Sequence, residues 1–185
     1  VERSFGPNRW QQQIVLRAGE RALTIRNWLL WAEPWRIVKL ACDVNTAAPV
    51  ATHDVPFGAI TRPCDGKEVP THMWMDVSGP AQDVQDGGQT SGQTGVHTIG
   101  LALLNDGKYG CDVTGSTQRL TILRCTPYAY HEPHPFGVRA RYDWVDVGSQ
   151  EFTVVLVPHV GGWQEAGLVQ QARALNLPPL PVTMH

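Results

Sequence analysis

An apolar segment that runs into a polar turn, residues 100–113, constrains the fold of this chain more than any other feature. Residues 100–104 read Gly-Leu-Ala-Leu-Leu, and the following Asn-Asp-Gly supplies residue types that tolerate left-handed backbone angles. The chain returns through residues 118–124, where apolar and polar residues alternate as in a half-buried strand. The pattern predicts a strand, an ordered polar loop and a second strand, and the loop is where chemistry is most expected.

Most of the remaining chain repeats this strand-and-turn pattern. Partial alternation of Ile, Val, Leu and Trp predicts three neighbouring antiparallel strands, a meander, at residues 11–17, 22–31 and 35–44. Shorter strands are predicted at residues 51–55, 59–62, 72–77 and 151–158. This spacing favours an all-β antiparallel sandwich over alternating βαβ units.

Two segments differ from the strands. Residues 164–175 place Ala166, Val169, Ala172 and Leu175 three apart, which predicts one short C-terminal helix that the prolines after residue 177 prevent from continuing. Residues 79–95 are rich in Gly, Gln, Asp, Ser and Thr, so burial cannot offset the entropy of ordering them, and a mobile loop is predicted. Residues 1–185 are otherwise expected to form a single domain or a fragment of a larger one.

Composition and charge exclude several classes of partner. The chain has 185 residues, 42% of them hydrophobic and 17% charged, which suits a folded domain with a sizeable core. A formal net charge of -2 with scattered basic residues gives no reason to expect binding to nucleic acid. No apolar stretch is long enough to cross a membrane, so no membrane association is expected. The start has neither an initiator Met nor a signal-peptide core, so we expect a piece of a longer protein.

The cysteines and histidines show no metal-binding spacing. Cys42, Cys64, Cys111 and Cys125 form no Cys-x-x-Cys pair, and we expect four reduced thiols and a cytoplasmic protein. The nearest histidines, His131 and His134, lie in a proline-rich segment where a helix is disfavoured, so a solvated loop is favoured over a metal site.

Seven tryptophans raise the possibility of carbohydrate binding, because indole faces stack on sugar rings. Trp28 and Trp31 lie three apart in one predicted strand and should point to opposite faces of the sheet. Packing between sheets is the favoured role for most of the seven. An exposed stacking role stays open for those near strand or loop ends, namely Trp10, Trp74, Trp144 and Trp163.

An independent glycosidase site would need two carboxylates that flank the scissile bond. The candidates are Asp106, Asp112, Asp143 and Asp146. The sequence does not place any two of them together; residues 143–146 also suit a turn, and Asp112 suits a role as acceptor of backbone hydrogen bonds. We therefore expect no catalytic residues in this chain.

Long sequence motifs nevertheless resemble one enzyme family. Residues 102–113 match Ala-Leu-Leu-Asn-Asp-x-Lys-Tyr-Gly-Tyr-Asp-Val, with Cys111 in place of the second Tyr. Residues 115–124 follow Gly-Asn-x-Leu-Arg-Leu-Ser-Leu-Leu-Arg with two differences, and residues 51–58 follow Ala-Thr-Tyr-Glu-Ile-Pro-Phe-Gly with His53 in place of Tyr. These motifs resemble the β-rich C-terminal region of glycoside hydrolase family 38, the α-mannosidases. The family motif Asp-Gln-Gly-x-His-x-Phe corresponds to residues 146–152, where this chain does not have the His.

The resemblance implies a role as part of a zinc-dependent, retaining α-mannosidase. In that family the zinc ligands and the nucleophile lie in an N-terminal barrel, which is absent here, so zinc is expected in the missing catalytic domain and no cofactor in this chain. The C-terminal half resembles the supersandwich of the galactose mutarotase superfamily. This chain would support the catalytic domain of the same polypeptide and line its α-mannoside pocket, while being inert alone.

If the chain contacts sugar, the residues expected to do so are Asn105, Asp106, Lys108 and Tyr109, which combine hydrogen-bonding groups with an aromatic ring. The alternative is that Asn105 and Asp106 only stabilise their own turn. The alternative function is a free-standing carbohydrate-binding or interaction module. Surfaces left by missing domains further predict that the fragment forms a homodimer.

Overall fold

The computed structural model describes residues 1–82, 97–128 and 142–177 and contains twelve strands and one helix in these ranges. The strands are β1 (Glu2–Phe5), β2 (Asn8–Leu16), β3 (Leu23–Trp31), β4 (Arg36–Asp43), β5 (Val50–Val55), β6 (Gly58–Arg62), β7 (Val69–Pro70), β8 (Trp74–Pro80), β9 (Thr98–Asn105), β10 (Gly110–Thr114), β11 (Thr117–Cys125) and β12 (Gly148–Val160). The helix is α1 (Leu168–Asn176). An all-β fold with one short C-terminal helix is confirmed.

The strands form two antiparallel sheets. The larger has eight strands in the order β1-β2-β3-β12-β9-β8-β5-β6, and the smaller has four in the order β4-β11-β10-β7. The main core lies between them because alternate residues of each strand point inward. Its largest buried contributors are Leu29, Trp31, Met75, Leu103, Leu120, Ile122, Leu123 and Phe152. The predicted antiparallel sandwich is therefore confirmed.

Helix α1 covers part of the outer face of the eight-stranded sheet. Its buried Leu168 and Ala172 belong to a second apolar cluster that includes Trp74 and Leu104. The helix begins later than predicted because Gly167 adopts a left-handed φ of 64° at its N-cap, so the preceding residues form turns. Within the described ranges, no helix has the length and apolar character needed to span a membrane.

Three sequence predictions about the strands are wrong. β4 does not continue the β2–β3 meander: it pairs with β11 in the other sheet, and the neighbour of β3 is β12. Residues 110–114, read as part of a loop, form β10 and pair with β11. Gly79 and Pro80 belong to β8 rather than to the predicted loop, whose residues 83–95 lie outside the described ranges.

Candidate functional site

The predicted polar loop connects the two sheets, since β9 ends at Asn105 in the larger sheet and β10 starts at Gly110 in the smaller one. Asn105 is 1% exposed. Its Oδ1 accepts hydrogen bonds from the backbone N–H groups of Gly107 (3.0 Å) and Lys108 (2.6 Å), and its Nδ2 donates to the carbonyl of His72 (3.2 Å). The side chain of Asn105 thus holds its own turn and anchors it to a second loop.

Asp106 and Lys108 also bond to the chain itself. Asp106 Oδ1 accepts a hydrogen bond from the backbone N–H of Thr153 at 2.8 Å. Lys108 Nζ donates to Gln150 Oε1 at 2.6 Å and lies 4.8 Å from the ring centroid of Phe152. Burial lowers the pKa of Lys108, and the carboxylates of Asp146 and Asp106 partly offset that effect. Both side chains therefore tie the loop to β12.

Tyr109 is the predicted site residue that points most clearly to solvent. It is 59% exposed, and its ring lies 6.1 Å from that of His72 at an interplanar angle of 23°. Tyr109 and Lys108 line a surface groove of about 790 Å³, together with Glu68, Arg124 and other residues. Asn105 and Asp106 do not line it.

A second groove of about 630 Å³ lies beside the first, since His72 lines it as well as stacking on Tyr109. Phe57 stands on its rim at the β5–β6 turn. The side chain of Phe57 is fully exposed, and its backbone φ is 70°, a value that non-glycine residues rarely adopt. This end of the sandwich thus presents two exposed aromatic side chains, Phe57 and Tyr109.

Three of the four candidate carboxylates bond to other groups of the chain. Asp112 is 1% exposed and makes ion pairs with Lys39 and Arg119. Asp146 Oδ2 accepts a hydrogen bond from the backbone N–H of Arg124 at 2.9 Å, and Asp106 is bound as described above. These three carboxylates have structural partners, which gives no support to a hydrolytic site within the chain.

Two departures from the family motifs lie in contact with each other. The Cys111 Sγ lies 3.4 Å from the Nδ1 of His53, and both residues are buried. Such a pair resembles a catalytic dyad, which needs a thiolate beside an imidazolium. Burial here does the opposite: it raises the pKa of Cys111 to about 12 and lowers the pKa of His53 to about 4. Both groups are neutral at pH 7, so this pair belongs to the core.

Sequence reasoning missed a buried polar pair on the outer face of the larger sheet. His159 Nε2 lies 2.8 Å from Asp76 Oδ1, and its Nδ1 lies 3.1 Å from the carbonyl oxygen of Gly161. Both neighbours are acceptors, and the hydrogen bond to Asp76 raises the pKa of His159. A Cβ at Gly100 would collide with the His159 ring, which explains the glycine there. The pair fixes the turn that leads into α1.

All four predicted thiols lie in the described part of the chain. All four cysteines are free, as predicted. Among the described residues, no group of three or more His, Cys, Asp or Glu side chains could hold a metal ion. His131 and His134 lie outside the described ranges.

Five of the seven tryptophans lie in or pack against the two apolar clusters, whereas Trp28 and Trp35 are exposed. Trp74 is fully buried and its ring lies 5.2 Å from that of Trp163, so the exposed role left open for Trp74 is excluded. Trp31 is 4% exposed and Trp28 is 37% exposed, which confirms that they point to opposite faces of the sheet. Trp28 lies on the outer face, directly opposite Gln11 of β2 and Glu151 of β12.

Comparisons with known proteins give the family context. The family model described as "Glycosyl hydrolases family 38 C-terminal domain" matches residues 1–132. The human protein Alpha-mannosidase 2C1 is 32% identical over 185 residues, which covers 95% of this chain and 15% of that protein. Alpha-mannosidase G of Dictyostelium discoideum is 26% identical over 173 residues, covering 89% of this chain and 13% of that protein.

A solved structure shows a similar fold. The crystal structure of an alpha-mannosidase from Enterococcus faecalis V583 matches with a TM-score of 0.66 at 13% identity, covering 92% of this chain and 18% of that one. Among these relatives, the chain spans about 15% of the length of the human protein.

Proposed function

Because the chain belongs to the C-terminal domain family of family 38 glycosyl hydrolases, we propose that it forms a non-catalytic β-sandwich of an α-mannosidase. In this proposal it packs against the catalytic domain of the same polypeptide and borders the carbohydrate pocket. In this proposal the catalytic domain holds the zinc. Four free thiols agree with a cytoplasmic location.

The observation that carries the proposal is the end of the sandwich that bears Phe57 and Tyr109. Large, solvent-exposed aromatic side chains that lie close together are typical of surfaces that meet another molecule or domain. Phe57 keeps its full exposure although its backbone is in an unfavourable region. Both residues border grooves that share His72 as a neighbour.

The four predicted site residues take two different roles in this proposal. Tyr109 contacts the catalytic domain or its substrate, since its ring is exposed. Asn105, Asp106 and Lys108 position Tyr109 by holding the loop, because their polar atoms already bond within the chain. They act on sugar only through the placement of the tyrosine.

The test is the activity of the full-length protein towards an aryl α-mannoside. We expect Tyr109→Ala to lower kcat/KM about tenfold because a contact at the pocket edge is lost. Tyr109→Phe should retain most of the activity because the ring remains. The matched control is Leu16→Ala, which also truncates an exposed apolar side chain, but on β2. Unchanged kinetics in a folded Tyr109→Ala variant would contradict the proposed role.

A further inference from the structure

The outer face of β2, β3 and β12 carries an exposed tryptophan among polar side chains. We call this surface the Trp28 face, and its members are Arg9, Gln11, Trp28, Leu30, Ser149 and Glu151. The strand register places Gln11 and Glu151 on either side of Trp28, and Arg9 and Ser149 on either side of Leu30. These residues line a shallow depression of about 390 Å³.

The hydrogen-bonding groups beside Trp28 are available to a ligand. Among the described residues, neither the side-chain amide of Gln11 nor the carboxylate of Glu151 has a hydrogen-bond partner, whereas Arg9 pairs with Glu2 at 2.9 Å. The backbone of Trp28 is held between β2 and β12, while 37% of the residue stays exposed. Rigid elements hold binding groups more accurately than loops do.

From this arrangement we infer that the Trp28 face binds a neutral oligosaccharide, at a site separate from the loop that bears Tyr109. The apolar face of a pyranose ring stacks on the indole, and its hydroxyls donate to Glu151 and exchange hydrogen bonds with Gln11. Arg9 is already paired with Glu2, and Glu151 can accept hydrogen bonds from hydroxyl groups, so the surface suits a neutral ligand rich in hydroxyls. The volume lies within the range of small-ligand sites, about 300–1,000 Å³.

Another protein domain is a less suitable occupant of this surface. The cores of protein interfaces are depleted of charged residues and are broadly apolar. Here the exposed apolar side chains that line the depression are Trp28 and Leu30, and Arg9, Gln11 and Glu151 border them directly. Covering these groups with protein would leave unpaired polar atoms buried, which is unfavourable.

The experiment measures retention of the full-length protein on gels that contain neutral mannan or neutral glucan. We expect mannan to slow the migration of the wild-type protein. Trp28→Ala should raise the dissociation constant for mannan about tenfold, which corresponds to about 1.4 kcal/mol. The choice of mannan rests on the proposed function, whereas the site itself does not. Retention on glucan alone would support the site and contradict the mannoside assignment.

Two milder variants separate binding from folding, because Trp28→Ala could also weaken the sheet. Gln11→Ala and Glu151→Gln alter exposed side chains, so each should reduce mannan affinity about threefold while thermal unfolding is unchanged. Leu16→Ala, on the same strand as Gln11, is the matched control and should bind mannan like the wild type. Aryl α-mannoside turnover should stay at the wild-type value in all three.

Three outcomes would overturn the inference. The first is that neither polysaccharide retains the wild-type protein. The second is that Trp28→Ala, Gln11→Ala and Glu151→Gln all bind mannan like the wild type. The third is that high salt abolishes retention, which would indicate an ionic ligand rather than a neutral sugar. Loss of activity in Tyr109→Ala with no retention on either gel would refute this inference and leave the proposed function intact.

Discussion

The loop at residues 105–110 and the Trp28 face use their polar groups in opposite ways. In the loop, Asn105, Asp106 and Lys108 direct their side chains back to the chain and leave Tyr109 as the exposed member. On the Trp28 face, the side chains of Gln11 and Glu151 point away from a regular sheet and have no partner among the described residues. A polar motif in a turn therefore gives weaker evidence of ligand contact than free polar groups beside an aromatic residue on a strand.

The two regions differ because their backbone N–H and C=O groups find hydrogen-bond partners in different ways. A loop between two sheets leaves N–H and C=O groups without ladder partners, so nearby Asn and Asp side chains bond to them. In β3, which pairs with β2 on one side and with β12 on the other, ladder hydrogen bonds satisfy the backbone, and the side chains on the outer face remain available. We expect substitutions to affect the core and the loop at residues 105–110 differently from the Trp28 face.

His53, in the core beneath the loop, should make the protein sensitive to acid. Its pKa is about 4 in the folded protein and 6.5 ordinarily, so the unfolded chain binds the proton first as the pH falls. The contribution of neutral His53 to the free energy of unfolding is fully present above pH 6.5. It is lost as the pH falls towards 4, by about 3 kcal/mol. His53→Gln should remove this component from denaturant unfolding measured between these two pH values, and the exposed His97→Gln should not. Identical pH dependence in wild type and His53→Gln would exclude the buried neutral histidine.

Asn105 should matter for stability in a way that Gln11 does not. Asn105→Ala removes three hydrogen bonds from a buried position, and we expect the free energy of unfolding to fall by about 2 kcal/mol. Gln11→Ala removes an exposed amide and should change it by less than about 0.5 kcal/mol. Equal stabilities of the two variants in urea unfolding would remove the distinction between the two regions.

The sequence predicted the fold class because alternation and turn residues are local properties. It misplaced β4 because an alternating pattern does not specify which sheet a strand joins. It missed the pairs His159–Asp76 and Cys111–His53, whose members lie 83 and 58 residues apart and meet only through sheet topology. Asn105 was recognised as a turn residue, but its side chain also bonds to the carbonyl of His72, which lies 33 residues away and which only the folded chain brings near it.

The most direct test of the two-region account measures activity and mannan binding on the same two variants of the full-length protein. Tyr109→Ala should lower kcat/KM for an aryl α-mannoside about tenfold and change the mannan dissociation constant less than about twofold. Trp28→Ala should give the reverse, with weakened mannan binding and unchanged turnover. If both variants alter the same quantity, or neither alters any, the separation of roles between the loop and the Trp28 face is contradicted.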